Sequence, residues 1–143
     1  SDENGDGRQD LYLAVRDAAG ARELRIYRQR AGGSFPAEPD VRVAVPRAVV
    51  AWSVGHFTPG AAQAELLYLA RDKAFVRTAD GALRPHAAGR MLLDMPAEDA
   101  LPYWPHLADA DGDGLDELML VLDDGYAIIG SDGVTRGRIP FNF

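Results

Sequence analysis

The chain contains no cysteine in its 143 residues. Disulfides therefore contribute nothing, and redox chemistry gives no clue to a compartment. Zinc loses its thiolate ligands, and no histidine pair stands close enough to replace them. There is no run of eighteen apolar residues, so no helical membrane span is expected. Basic surface is scarce. The net charge of −7 argues against nucleic-acid binding, which needs a positive face. Catalytic signatures are missing too: no nucleophile elbow, phosphate loop, HExxH or dinucleotide fingerprint occurs. The three histidines, His56, His86 and His106, lie in separate segments and are read as polar surface groups. The expectation is a chain that is not an enzyme.

What the chain does have is one acidic, glycine-punctuated phrase written twice. The first copy runs Asp2-Glu3-Asn4-Gly5-Asp6-Gly7-Arg8-Gln9-Asp10 and the second Asp109-Ala110-Asp111-Gly112-Asp113-Gly114-Leu115-Asp116-Glu117. Each puts side-chain oxygens at positions one, three, five and nine and glycine at six. Alternate side chains of a tight loop then point inward, which suits the six to eight oxygens of calcium. The predicted ligands are Asp2, Asn4, Asp6 and Asp10 in one loop, with the Arg8 carbonyl. In the other they are Asp109, Asp111, Asp113 and Glu117, with the Leu115 carbonyl. Like charges about 4 Å apart repel by roughly 4 kcal/mol at an effective dielectric near 20. Two calcium ions would offset that repulsion. Magnesium fits less well, since it prefers strict octahedral geometry. A helical calcium hand is disfavoured because its twelfth position, a bidentate Glu, is Leu13 or Leu120 here. An acidic turn without metal is the plainer alternative, and the second copy in register weighs against it.

The loops head a longer repeat. Asp10-Leu11, Glu65-Leu66 and Glu117-Leu118 each open an apolar run, and the three acids stand 55 and 52 residues apart. Tight turns are predicted at Asp72-Lys73 and Asp124-Gly125, with further turns at Asp80-Gly81 and Asp132-Gly133. Leu24–Tyr27 reads as a return strand by alternation. Val41–Val45 or Val49–Val54, and the stretch around Tyr103-Trp104, are candidate first strands of later units. The middle unit keeps the closing acid Glu65 but has His56, Thr58 and Gly60 near the other ligand positions, so no metal is expected there. A period near 50 with about four short strands is the size of a propeller blade.

The phrase Asp-x-Asn-Gly-Asp-Gly-x-x-Asp-Leu before an apolar strand resembles the FG-GAP and VCBS repeat family, in its bacterial form. That resemblance implies an all-β fold of three consecutive four-stranded antiparallel blades, part of a seven-bladed β-propeller. The approximate repeats are 1–41, 42–95 and 96–143. It also implies two Ca²⁺ sites on the ten residues named above. The expected role is a non-catalytic scaffold for a protein or glycan, extracellular, on the cell surface or periplasmic. The alternative is an accessory propeller of a secreted or surface enzyme whose catalytic residues lie elsewhere. At this period 143 residues are too few to close a ring, so further blades of a longer chain are expected. Arg138–Phe143 reads as the first strand of another blade. Arg28 and Arg30 are expected to share one face of a solvated edge that resists aggregation. Trp52, Tyr103 and Trp104 are read as core filling in preference to a sugar-stacking platform.

Overall fold

The computed structural model describes residues 1–88 and 101–142. All regular structure in them is β, arranged as three antiparallel sheets, none of them closed. The first sheet holds β1 (Leu11–Arg16), β2 (Arg22–Tyr27) and β3 (Val41–Ala44). The second holds β4 (Ala51–Gly55), β5 (Glu65–Leu69), β6 (Lys73–Arg77) and β7 (Leu83–Ala88). The third holds β8 (Leu107–Ala108), β9 (Glu117–Leu122), β10 (Gly125–Ile129) and β11 (Thr135–Pro140). Within each sheet every strand pairs with its neighbour in sequence. No helix among the described residues is long and apolar enough to cross a membrane.

Burial explains why the middle unit is the most apolar. All five residues of β5 are buried. A strand covered on both faces reads as a continuous apolar run, whereas a strand with one wet face alternates. One face of the second sheet carries Trp52, Leu66 and Tyr68. They pack on Leu24, Val43 and Val49 from the first sheet and its exit. The other face carries Ala51, Leu67, Leu69, Ala74 and Val76, which meet Leu118, Leu120, Ala127 and Ile129 of the third sheet. The second sheet is thus the middle layer of three. Removing a fully buried side chain here, such as Leu67, would cost about 2–5 kcal/mol.

Several expectations need correction. The first sheet has three strands, not four. Val41–Ala44 is its last strand, paired with β2, so this sheet runs past residue 41. The first strand of the second sheet is Ala51–Gly55, which overlaps the other candidate, starting two residues later and ending one residue beyond it. The boundary placed at 95/96 lies outside the described residues. Tyr103 does not start the third sheet. It makes a parallel bridge to Trp52 of β4, flanked by bonds from Trp52 N to the Pro102 carbonyl (3.1 Å) and from Trp104 N to the Trp52 carbonyl (2.7 Å). The third sheet starts instead at the two-residue β8. Arg138–Pro140 belongs to β11, the last strand of the third sheet, so it opens no further blade. Phe143 lies outside the described residues.

The tight turns fall one residue earlier than predicted. Leu122 pairs with Gly125, so the turn is Asp123-Asp124. Ala70 N donates to the Lys73 carbonyl (2.8 Å), which makes the other turn Arg71-Asp72. The Asp80-Gly81 and Asp132-Gly133 turns stand where expected and share one design with two other turns. In Asp17–Ala21, Arg30–Ser34, Thr78–Ala82 and Gly130–Val134 the first N–H donates to the fifth carbonyl at 2.8–3.0 Å. The fourth residue is always glycine, with φ between 79° and 88°.

The arginines also differ from expectation. β2 ends at Tyr27, so Arg28 and Arg30 share no strand face. Arg28 Nε pairs with Glu3 Oε2 (2.7 Å), and Arg30 Nη2 with Asp40 Oδ1 (2.8 Å). Arg22 donates to the carbonyls of Pro46, Arg47 and Val49, each at 2.9 Å, and so ties β2 to the link between the first two sheets.

Gly133 joins the third sheet to the second. Its φ is +79°, and an added Cβ would run into the backbone carbonyl of His86 on β7. Gly60 has a similar φ of +76° but faces open space. Gly133→Ala is therefore expected to cost about 3 kcal/mol or more, and Gly60→Ala about 1–2 kcal/mol, from backbone strain alone. Urea unfolding of both variants measures the difference.

Candidate metal centre

The three loops occupy equivalent places. Each leads into the second strand of a four-stranded unit, or into β1 of the first sheet. The closing acid of each loop is held by the fold. Asp10, Glu65 and Glu117 are all buried. Each carboxylate accepts the backbone N–H of the second residue of its own loop: Glu3 N to Asp10 (2.8 Å), Phe57 N to Glu65 (3.0 Å) and Ala110 N to Glu117 (2.7 Å). A buried carboxylate must be satisfied or it costs several kcal/mol. This bond folds the loop back onto its strand in all three units, acidic or not.

The opening aspartates make a matching set. Asp2 Oδ1 accepts Gly5 N (2.8 Å) and Oδ2 accepts Gly7 N (2.6 Å). Asp109 Oδ1 accepts Gly112 N (2.7 Å) and Oδ2 accepts Gly114 N (3.0 Å). The four glycines have φ between 75° and 86°, which glycine adopts without the cost a Cβ brings. Burial opposes ionisation of Asp2. The N–H groups of Gly7, Gly5 and Asp6 outweigh it and hold the carboxyl below the usual carboxylate range.

The two acidic loops then diverge. In the second, Asp109, Asp111 and Glu117 each offer one carboxylate oxygen within 4.8 Å of the others. Asp113 Oδ1 accepts Leu115 N (2.8 Å). Among the described residues this is the one convergence of three such ligands. In the first loop the third position is Asn4, whose amide donates to Asp6 (3.3 Å). The Asp6 carboxylate is also paired with the Arg8 guanidinium (2.8 Å), and Arg8 Nε reaches the Gln29 carbonyl (3.1 Å). Arg8 enters the sequence pattern through its carbonyl alone. Its side chain here supplies the positive charge next to the loop. Both Asp10 oxygens are engaged as well, the second by Gln29 N (2.9 Å).

The middle loop has the same clamp and adds a second donor to it. Thr58 Oγ1 donates to Glu65 Oε1 (2.7 Å), so a hydroxyl and an N–H share the carboxylate. Sequence reasoning overlooked Asp116. Its N–H donates to the His56 carbonyl, and its carboxylate accepts His56 N, both at 2.7 Å. Asp116 thereby joins the second acidic loop to the middle one. The only signal in sequence was an acid beside the closing acid. A groove of about 280 Å³ lies next to that loop, sharing Ala110 and Glu117 with it. Leu107, Met119 and Ile128 supply its apolar wall.

The aromatic residues divide between core and surface. Trp52 is buried, and its Nε1 donates to the Leu101 carbonyl (3.1 Å), as core filling requires. Tyr103 is exposed and packs edge-on against Trp52, with ring centroids 5.1 Å apart. The three histidines have separate neighbours. His56 Nδ1 is 3.8 Å from Asp116 Oδ2, and His106 stacks edge-on with Trp104. His86 is not a surface group. It is buried at 5% exposure, edge-on to Phe57, and its Nε2 has no partner.

His86 predicts an acid-sensitive fold. Burial first, then the neighbouring Arg84, push its pKa down to about 4 from the ordinary 6.5, against weaker opposing effects of Asp132 and Glu65. The unfolded chain takes up the proton near pH 6.5 and the folded chain does not. Stability from this group is therefore full above pH 6.5 and falls as pH drops toward 4. The expected loss is on the order of 2–3 kcal/mol. Urea unfolding at stepped pH values measures it, and His86→Phe is expected to flatten the wild-type slope in that window.

Comparison with models of known protein families, with curated proteins and with solved structures found no match.

Proposed function

We propose that this chain is a calcium-stabilised segment of a β-propeller of the FG-GAP and VCBS type. In this reading it serves outside the cytoplasm as a non-catalytic scaffold for protein or glycan binding. One observation carries the proposal. Asp109, Asp111 and Glu117 bring three carboxylate oxygens within 4.8 Å of one another on a loop already folded by its own backbone. Hard oxygen donors in an irregular loop suit calcium better than magnesium. Three consecutive meander sheets, stacked face to face, support the propeller reading.

The metal would act as a structural element. A cation between Asp109, Asp111 and Glu117 relieves the repulsion among them. It also orders the residue next to Glu117, and Asp116 holds the middle loop through two bonds of 2.7 Å. Metal binding and sheet stacking are coupled there. The first loop is the weaker site. It has Asn4 where the second has Asp111, and Arg8 already neutralises Asp6. The middle loop takes no metal, because Thr58 already satisfies Glu65.

Calcium titrated to about tenfold above its Kd would add about 1.4 kcal/mol per site and raise the unfolding midpoint by about 4 °C. Asp111→Ala is expected to remove most of that rise, whereas Thr58→Ala leaves it unchanged. Arg8→Leu is expected to tighten the first site. Thermal unfolding with calcium and then with chelator reads all three. A midpoint indifferent to both additions would sink the metal assignment.

A further inference from the structure

Asn4 occupies the third position of the first loop, where the second loop has Asp111. Glycine follows in both, as Gly5 and Gly112. Asparagine is among the thermolabile residues. Before glycine its side chain is open to attack from the next backbone nitrogen, because glycine has no Cβ to shield that nitrogen or restrain the chain. The chain has one other asparagine, Asn142, and the bulky Phe143 follows it.

The folded loop holds both groups that would react. Gly5 N donates to Asp2 Oδ1 (2.8 Å). The Asn4 carboxamide is anchored on Asp6. Its Oδ1 accepts Asp6 N (3.2 Å), and its Nδ2 donates to Asp6 Oδ2 (3.3 Å). Asp2 Oδ1 also accepts Asp6 N (3.1 Å), so the two anchors share a partner. The middle loop lies against this arrangement. An added Cβ on Gly5 would stand 3.2 Å from the Ala62 carbonyl oxygen, and Ala64 N donates to the Asp2 carbonyl (3.2 Å). All of these bonds lie within the first loop or at the junction of the first two sheets.

We infer that the Asn4-Gly5 step is a site of spontaneous deamidation, kept latent by the bonds of the folded first loop. When the loop opens, Gly5 N loses its bond to Asp2 and the Asn4 carboxamide loses Asp6. Gly5 N then gives its proton to water or hydroxide and attacks Asn4 Cγ. The N–Cγ bond forms, the Cγ–Nδ2 bond breaks, and Nδ2 leaves as ammonia with protons from solvent. Water opens the resulting five-membered imide at either of its two carbonyls. One opening gives aspartate at position 4, and the other gives its isoaspartyl isomer. No oxidant or metal takes part.

The two products differ in consequence. Aspartate at position 4 takes the place that Asp111 has in the second loop, so the first loop gains the same acids. The isoaspartyl link adds a methylene to the backbone after position 4. It displaces the N–H groups of Gly5 and Gly7 from the Asp2 carboxylate that they now reach at 2.8 and 2.6 Å. The gain of a cation ligand rests on the calcium reading above, and the deamidation does not.

Mass spectrometry of the tryptic peptide Ser1–Arg8 tests the inference. The whole chain is held with chelator at mildly alkaline pH, once folded and once in concentrated guanidinium. In guanidinium Asn4 is expected to convert to the acid while Asn142 stays intact. In the folded chain the conversion is expected to be slower by about tenfold or more, since only the opened loop reacts. Asp2→Ala, with unchanged circular dichroism, is expected to bring the folded rate most of the way to the unfolded one. Survival of Asn4 in guanidinium, or equal rates in the two states, would overturn the inference. So would an Asp2→Ala chain that keeps both its circular dichroism and the slow folded rate. Calcium titration of Asn4→Asp in an Asp111→Ala background tests the consequence separately. The calcium-dependent rise in unfolding midpoint is expected to return in part. Its failure to return would overturn the gained cation site and leave the deamidation standing.

Discussion

A sheet with two apolar faces has to be covered twice, and the second sheet imposes that constraint on everything around it. β5 has no wet side. Burying Leu66 and Tyr68 requires a layer on one face, and burying Leu67 and Leu69 requires a layer on the other. The cost of exposing such side chains, about 25 cal/mol per Å² of apolar surface, is what holds three separate meanders in one stack. Hydrogen bonds between the sheets add alignment. They sit at the loops, where Ala64 N meets the Asp2 carbonyl and Asp116 meets His56, and where Trp52 bonds Pro102 and Trp104.

Stacking also explains where the loops fall. Each loop turns back at the edge of its sheet because its closing carboxylate is buried and takes the N–H of the loop's second residue. This clamp is independent of the acidic residues, since the middle loop has it with His56 and Thr58 in their place. The acids at positions one, three and five are an addition to a loop that already closes. A cation at those acids, as proposed, would therefore reinforce a fold that its loops already close. The two acidic loops also differ. In the first, Arg8 and Arg28 bring positive charge to Asp6 and Glu3. In the second, position seven is Leu115, and three carboxylates converge with no such ion pair among the described residues.

Much of this was readable in advance because it is local. Alternation and turn chemistry located β1, β2, β5, β6, β9 and β10, and the glycine of each Asp-Gly turn falls at a positive φ. What failed was non-local. Tyr103-Trp104 has the aromatic, extended character of a strand and is extended, yet it pairs in parallel with β4. Val41–Val45 and Val49–Val54 looked alike as first strands, and only their partners tell them apart. The arginines around Arg28 read as a solvated edge because charge alone cannot reveal a carbonyl or a carboxylate that is remote in sequence. His86 read as a surface group for the same reason.

Residue order alone set the period, the acids at the head of each unit and the β character of the runs that follow. Those depend on spacing within a few residues, where backbone geometry allows little choice. The packing of the layers settled which face of each sheet is covered, and which oxygens of the two acidic loops converge. It also decided that Asp116 and Gly133 bind one layer to the next. A side chain's partner across a sheet or between sheets lies tens of residues away, and the burial that selects it exists only once the layers have met.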